Sequence, residues 1–105
     1  MIRGTTPTHI FQIPFDTGLL KKIRIFYAQN SNVVVEKSTC DCVLEGDKII
    51  VTLTEEETLR FSHKILVKVQ LKVLTTEGVV MATDIDRVDV GEILSEEVLS
   101  NADES

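Results

Sequence analysis

The sequence predicts an all-β protein, an antiparallel sandwich of about seven short strands with one helical crossover turn. Two observations support this prediction before any element is placed. Apolar and polar residues alternate in several short runs, which is the two-residue period of a strand with one buried face. Hydrophobic residues make up 43% of the chain but aromatic residues only 5%, so that aliphatic side chains must build the core. The β-branched residues among them favour a pleated sheet.

The first three strands are predicted by prolines, alternation and a turn. Residues 8–13 lie between two prolines, which favours a short edge strand. Residues 19–28 alternate clearly and predict a strand with one solvated face. The polar segment 29–32 and the apolar run 33–35 follow at once, so we expect a hairpin.

A second hairpin and a short helical turn follow. Residues 42–44 and 48–53 are strand-like and flank the turn 45–47. Thr54 and Glu57 then have the spacing of a capping box, in which each side chain accepts a hydrogen bond from the other residue's backbone N–H. We therefore predict one helical turn that crosses between the sheets, with Leu59 and Phe61 closing the end of the core.

The longest alternating run is residues 64–75, which predicts a long central strand. The turn 76–78 and a last strand over residues 79–90 follow it. This number and spacing of strands is typical of an immunoglobulin-like sandwich, although the paired cysteines and core tryptophan of antibody domains are missing. A small barrel is the alternative. We expect one β-sandwich domain over residues 1–91 and an acidic C-terminal segment over 92–105, a short helix followed by a disordered end.

Charge and composition exclude several classes of function. The net charge is −6, and residues 92–105 carry five acidic side chains and no basic one, which argues against a nucleic-acid partner. No segment approaches the roughly 20 apolar residues of a membrane span. Cys40 and Cys42 form an isolated pair on one strand face, and we expect two free thiols in a reducing compartment. The prediction is a cytoplasmic protein without membrane association.

The residues that could support catalysis or metal binding are few. His9 and His63 are the two histidines, and we expect boundary or surface positions for both. A Cys–His dyad of His63 with either cysteine stays an alternative supported by residue type alone. The aspartates Asp84, Asp86 and Asp89 are the one candidate calcium cluster, but strand alternation places Asp89 on the opposite face. We predict no enzyme activity, no catalytic residue, no metal, no cofactor and no small-molecule substrate.

One surface feature points to a protein partner. If their strands share a sheet, five basic residues form a stripe: Lys22, Arg24, Lys64, Lys68 and Lys72. Such a stripe is either an ordinary solvated face or a docking face for an acidic partner, including the acidic segment of a neighbouring copy.

Five segments of the chain resemble a known group of proteins. These segments are Arg3-Gly4-Thr5-Thr6-Pro7-Thr8-His9; Pro14-Phe15-Asp16-Thr17; Ile23-x-Ile25-x-Tyr27-Ala28-Gln29; Leu53-Thr54-x-Glu56-Glu57-Thr58-Leu59-x-Phe61; and Val67-x-Val69-Gln70-x-Lys72-Val73-Leu74-Thr75. They resemble short proteins encoded in phages, prophages and mobile elements of Firmicutes. In order and layout they are also similar to the immunoglobulin-like N-terminal domain of phage baseplate upper proteins. We expect this chain to lack the long C-terminal extension of those proteins.

The resemblance implies a role in a phage tail or baseplate, with no catalytic residues. We therefore expect a non-catalytic structural or interaction protein that contacts other copies or tail proteins, and its incorporation into a virion stays open. The alternative is a cytoplasmic accessory or regulatory protein that binds a single host or phage protein. An extracellular carbohydrate-binding module is disfavoured, because the chain has few aromatic residues for sugar stacking and no apolar signal sequence.

Overall fold

The computed structural model describes residues 1–83 and the backbone of residues 86–88. Within this part the chain forms eight strand segments and one short helix. The strands are β1 (Thr8–Gln12), β2 (Leu20–Gln29), β3 (Asn32–Ser38), β4 (Cys42–Glu45), β5 (Lys48–Thr52), β6 (Val67–Thr75), β7 (Val80–Ala82) and β8 (Asp86–Val88), and the helix is α1 (Glu55–Leu59). Short 3-10 turns at Thr17–Leu19 and Thr39–Asp41 connect strands of different sheets. The predicted all-β class with one helical turn is confirmed.

The strands form two antiparallel sheets that face each other across one core. The smaller sheet has the order β1-β5-β4, and the larger has the order β3-β2-β6-β7, with β8 also paired to β6. Of the predicted last strand over residues 79–90, the described residues form two short segments, β7 and β8, which both pair with β6. The structure confirms the β-sandwich, and in its larger sheet β2 lies between β3 and β6.

Alternating residues of both sheets build the core. Strand β6 is central, as predicted, because it pairs with β2 on one side and with β7 and β8 on the other. Its odd-numbered residues point inward and are buried, while the residues between them are exposed or half-buried. The buried apolar residues are Ile13, Ile23, Ile25, Tyr27, Val35, Ile49, Val51, Leu53, Phe61, Val67, Val69, Leu71 and Val73.

Helix α1 carries the chain from the smaller to the larger sheet. The predicted capping box is present: Glu57 N–H donates to Thr54 Oγ1 at 3.2 Å, and Thr54 N–H donates to Glu57 Oε1 at 2.8 Å. Thr58 is fully buried, and its hydroxyl lies within hydrogen-bond distance of the carbonyl oxygens of Thr5 and Glu55. Phe61 is buried in the core as predicted, whereas Leu59 is only half-buried.

The start of β6 corrects the sequence prediction. The strand begins at Val67 and not at residue 64, because residues 62–66 form a loop held by a buried glutamine. The Gln29 side-chain amide donates to the carbonyl oxygens of Ser62 and Ile65, each at 2.8 Å, and its oxygen accepts from Ser62 N–H. Alternation continues through this loop in the sequence, so the pattern alone overestimates the strand.

The cysteines also differ from the prediction in one respect. Cys40 lies in the 3-10 turn between β3 and β4, while Cys42 begins β4, so the two do not share a strand face. Both thiols are free, Cys40 exposed and Cys42 half-buried. The turn is fixed by the Asp41 carboxylate, which accepts hydrogen bonds from the backbone N–H and the hydroxyl of Ser38.

Two sequence predictions lie outside the described residues. These are the acidic C-terminal segment 92–105 with its short helix, and the aspartate cluster, of which Asp84 and Asp89 are not described. Among the residues that are described, no helix is long and apolar enough to cross a bilayer.

The hairpin between β2 and β3 gives a first testable prediction. Its two loop residues, Asn30 and Ser31, have φ angles of 50° and 66°, the left-handed region of a type I′ turn. A residue with a Cβ atom is strained there, so Ser31→Gly should raise the free energy of unfolding by about 0.5–1 kcal/mol. Urea unfolding checks this value. Ser31→Ala keeps the Cβ atom and should give no such gain; an equal gain from alanine would contradict the explanation.

Candidate interaction face

Four of the five predicted basic residues lie on one face of the larger sheet. Lys22 and Arg24 are on β2, and Lys68 and Lys72 are on β6, all on the side opposite the core. Alternation explains this placement, because the residues between them point into the core. Lys64 lies in the loop before β6 and not on a strand.

The pairing of β2 with β6 brings positive charges together. Arg24 is directly opposite Lys72, while Lys22 and Lys68 lie opposite uncharged residues of the partner strand. Like charges in cross-strand positions repel each other. Within the described part of the chain none of the four cations forms an ion pair, and Arg24 Nη1 donates at 2.9 Å to the carbonyl of Ile23. Glu36 on β3, opposite Phe26, is the carboxylate that borders this area.

Apolar side chains lie between these cations. Phe26 and Leu74 are half-buried on the same face, and Val80 on β7, opposite Leu74, is 58% exposed. Together with Lys22, Arg24 and Lys72 they line a shallow groove of about 260 Å³. We call this surface the basic face: Lys22, Arg24, Phe26, Lys68, Lys72, Leu74 and Val80. Its apolar members were not predicted from the sequence, although Phe26 and Leu74 stand at the same alternating positions as the cations.

A second group of polar side chains lies inside the sandwich. His9 Nδ1 and the Tyr27 hydroxyl are 2.7 Å apart, and the Tyr27 side chain is fully buried. Burial raises the pKa of Tyr27 well above its usual value, with smaller contributions from Cys42 and Glu57. Burial also lowers the pKa of His9, assisted by the positive N-terminus. Both side chains are therefore uncharged at neutral pH.

The same region contains an ion pair that the sequence analysis missed. Strand β3 runs beyond the predicted residues 33–35, and its alternation turns Lys37 inward, where Nζ lies 2.5 Å from Glu57 Oε1. Burial opposes ionisation of Glu57, but hydrogen bonds from Lys37 and from the Thr54 backbone outweigh it and lower the pKa of Glu57. The pair joins β3 to α1. We call His9, Tyr27, Lys37 and Glu57 the core polar cluster.

The core polar cluster has the geometry of a structural element. Its side chains pair with one another, His9 with Tyr27 and Lys37 with Glu57, and Tyr27 cannot be reached from solvent. His63 is exposed in the loop before β6, while the two thiols contact Ser38: Cys40 Sγ its hydroxyl and Cys42 Sγ its carbonyl oxygen. The structure therefore does not bring His63 and a thiol into a hydrogen-bonded dyad. No group of three metal-ligating side chains is found among the described residues.

The pKa shifts of the buried groups predict a stability maximum near neutral pH. Below pH 6.5, the ordinary pKa of histidine, the unfolded chain binds a proton that folded His9 resists, so the free energy of unfolding falls. Glu57 adds a further loss below its ordinary value of 4.5. Burial also raises the pKa of Cys42, so the unfolded chain loses protons above pH 9.0 and stability falls again. Urea unfolding between pH 5 and 10 measures the fall in the free energy of unfolding on both sides of the maximum.

The fall in stability on the acidic side can be assigned to His9 with two matched substitutions. His9→Gln should flatten the decline between pH 6.5 and 5, because no imidazole then titrates in the core. His63→Gln removes the exposed histidine and is the matched control. A stability that rises from pH 7 to pH 5 in the unaltered chain would contradict the assignment.

Comparison of the chain with models of protein families, with curated proteins and with solved structures finds no match. A function must therefore be argued from the geometry of the chain itself. Of the two groups of side chains, the core polar cluster is internal and the basic face is directed at solvent. The basic face is the candidate interaction site.

Proposed function

We propose that this chain is a non-catalytic structural or interaction protein of phage or prophage origin, which docks onto tail or baseplate proteins through its basic face. The observation that supports an interaction role is the alignment of four cations, unpaired among the described residues, with an apolar groove on one solvent-directed sheet face. The segments that resemble phage-encoded proteins support the biological setting.

The composition of the basic face favours an acidic protein surface as the partner. The cations supply electrostatic attraction, which steers association and selects a complementary partner. Phe26, Leu74 and Val80 supply apolar area, which a protein partner buries at the centre of an interface. A nucleic-acid backbone would use the cations but leave these apolar side chains uncovered, and the net charge of −6 repels it at longer range.

The proposal is tested on particles purified after prophage induction in the source bacterium. Quantitative mass spectrometry should find this protein at a fixed copy ratio to the tail proteins. If the protein occurs in the soluble lysate and not in particles, the accessory-protein alternative replaces the virion role. The protein that co-purifies with it then becomes the partner to identify.

Charge reversal tests whether the basic face makes the contact. Arg24→Glu with Lys72→Glu turns the attraction for an acidic partner into repulsion and should lower the amount bound to particles at least about tenfold. Both substitutions are on the solvent side and keep like charges opposite each other, so the stability of the fold should change little. Lys48→Glu, on the exposed side of β5 in the smaller sheet, is the matched control and should bind normally. Equal binding by the double variant would exclude the basic face.

A further inference from the structure

We infer that residues 92–99 of the same chain dock in the groove of the basic face and cover it until a partner displaces them. This inference concerns the regulation of the proposed interaction site and rests on the basic face being that site. It assigns an occupant to a groove in which cations and apolar side chains of the larger sheet are mixed.

The chemistry of the segment matches the groove. Residues 92–99 read Glu-Ile-Leu-Ser-Glu-Glu-Val-Leu, which is three carboxylates interleaved with four apolar side chains. The groove offers Lys22, Arg24 and Lys72 together with the apolar surfaces of Phe26, Leu74 and Val80. The five acidic residues of segment 92–105 compare with none that is basic, whereas residues 1–91 are almost balanced in charge. The segment therefore carries a concentrated negative charge that is complementary to the cations of the basic face.

The described part of the chain ends beside the basic face. The described backbone of β8 pairs Arg87 with Lys68 and Val88 with Val67, at one end of that face. On β6 the groove is lined by Lys72 and Leu74, which are five to seven residues further along the strand than Val67, or about 16–23 Å. Residues 89–99 can span up to about 36 Å when extended. This length is sufficient for a reversal at residues 89–91, which include Gly91, and a return along the face.

Covalent connection favours the chain's own segment over that of a second copy. A segment tethered by a short flexible linker acts at an effective concentration in the millimolar range. A second copy reaches that concentration only when the protein itself is millimolar. Docking within one chain therefore dominates in dilute solution, and an acidic partner must compete with it for the basic face.

The test uses the full chain and nuclear magnetic resonance of backbone amides. Neutralising the segment with Glu92→Gln, Glu96→Gln and Glu97→Gln should shift the amide signals of Arg24, Lys72 and Leu74. Signals of Ile10 and Ile50, on the outer side of the smaller sheet, should stay in place. Asp103→Asn with Glu104→Gln removes acidic charge outside residues 92–99 and is the matched control, which should move none of these signals.

A titration gives the size of the effect. A synthetic peptide of residues 89–105 is added to the unaltered chain and to the neutralised variant. The variant should bind it at least about twofold more tightly, because its basic face is no longer covered.

Three outcomes would overturn the inference. The first is unchanged signals on the basic face after neutralisation, and the second is equal peptide affinity for the two proteins. The third is a dependence of the Arg24, Lys72 and Leu74 signals on protein concentration, which would assign the occupant to a second copy. If particle binding is still lost on charge reversal at Arg24 and Lys72, the proposed function survives while this inference fails.

Discussion

Replacement of Lys37 by alanine is expected to destabilise the fold by about 3 kcal/mol, because it leaves a buried carboxylate without its partner. Lys37 Nζ and Glu57 Oε1 are 2.5 Å apart, and the two side chains are only 9% and 15% exposed. The residual exposure of Glu57 places the effect at the lower end of the range for broken buried ion pairs. Equilibrium urea unfolding at pH 7 measures it.

The position of Glu57 explains why this loss is not absorbed locally. Its Oε1 atom also accepts the Thr54 N–H that begins α1, so the carboxylate cannot turn to solvent without losing the helix cap. Removing the lysine should therefore raise the pKa of Glu57. The destabilisation of Lys37→Ala should accordingly be smaller at pH 4 than at pH 7, because protonation of Glu57 removes the unpaired charge.

Two comparisons separate loss of the partner from loss of packing. Lys37→Met with Glu57→Gln removes both charges, keeps similar volumes and retains an amide that can complete the capping box, so it should cost much less than Lys37→Ala. Lys48→Ala truncates an exposed lysine and should change the free energy of unfolding by less than about 0.5 kcal/mol. If Lys37→Ala costs no more than Lys48→Ala, the ion pair does not stabilise the fold.

Replacement of Phe61 by alanine is expected to cost about 3–5 kcal/mol, the usual range for truncating a buried aromatic residue. Phe61 is 1% exposed and follows α1 at the point where the chain enters the loop before β6. Its ring packs against Tyr27 with centroids 6.2 Å apart and planes tilted by 57°. The substitution leaves a cavity beside the core polar cluster and removes this aromatic contact.

Leu59 provides a matched control for Phe61. It lies two residues earlier and is half-buried, so Leu59→Ala should cost only about 1–2 kcal/mol. Urea unfolding of both variants gives the comparison. Equal losses would contradict the assignment of Phe61 as the residue that closes the core, as would a loss below about 1 kcal/mol for Phe61→Ala.

Much of the fold could be predicted from the sequence because its signals are local. Alternation placed β2, with Ile23 and Ile25 buried, and it identified β6 as the long central strand. The spacing of Thr54 and Glu57 predicted the capping box, since both partners of each hydrogen bond lie within one helical turn. Alternation also placed the cations of β2 and β6 on one side of their strands, and the order of the strands then decided whether they meet.

The remaining features depend on contacts between residues far apart in the chain, so they follow from the three-dimensional fold and not from local sequence. Gln29 holds the loop before Val67 out of strand β6 through hydrogen bonds to Ser62 and Ile65, and no local sequence pattern reveals these contacts. Lys37 is buried because Glu57 lies across the sandwich to receive it. Register alone sets Arg24 opposite Lys72, and the pairing of β7 with β6 adds Val80 to their groove. Local periodicity determines which side of a strand a residue occupies, whereas its neighbour across the sheet is fixed by the packing of the whole chain.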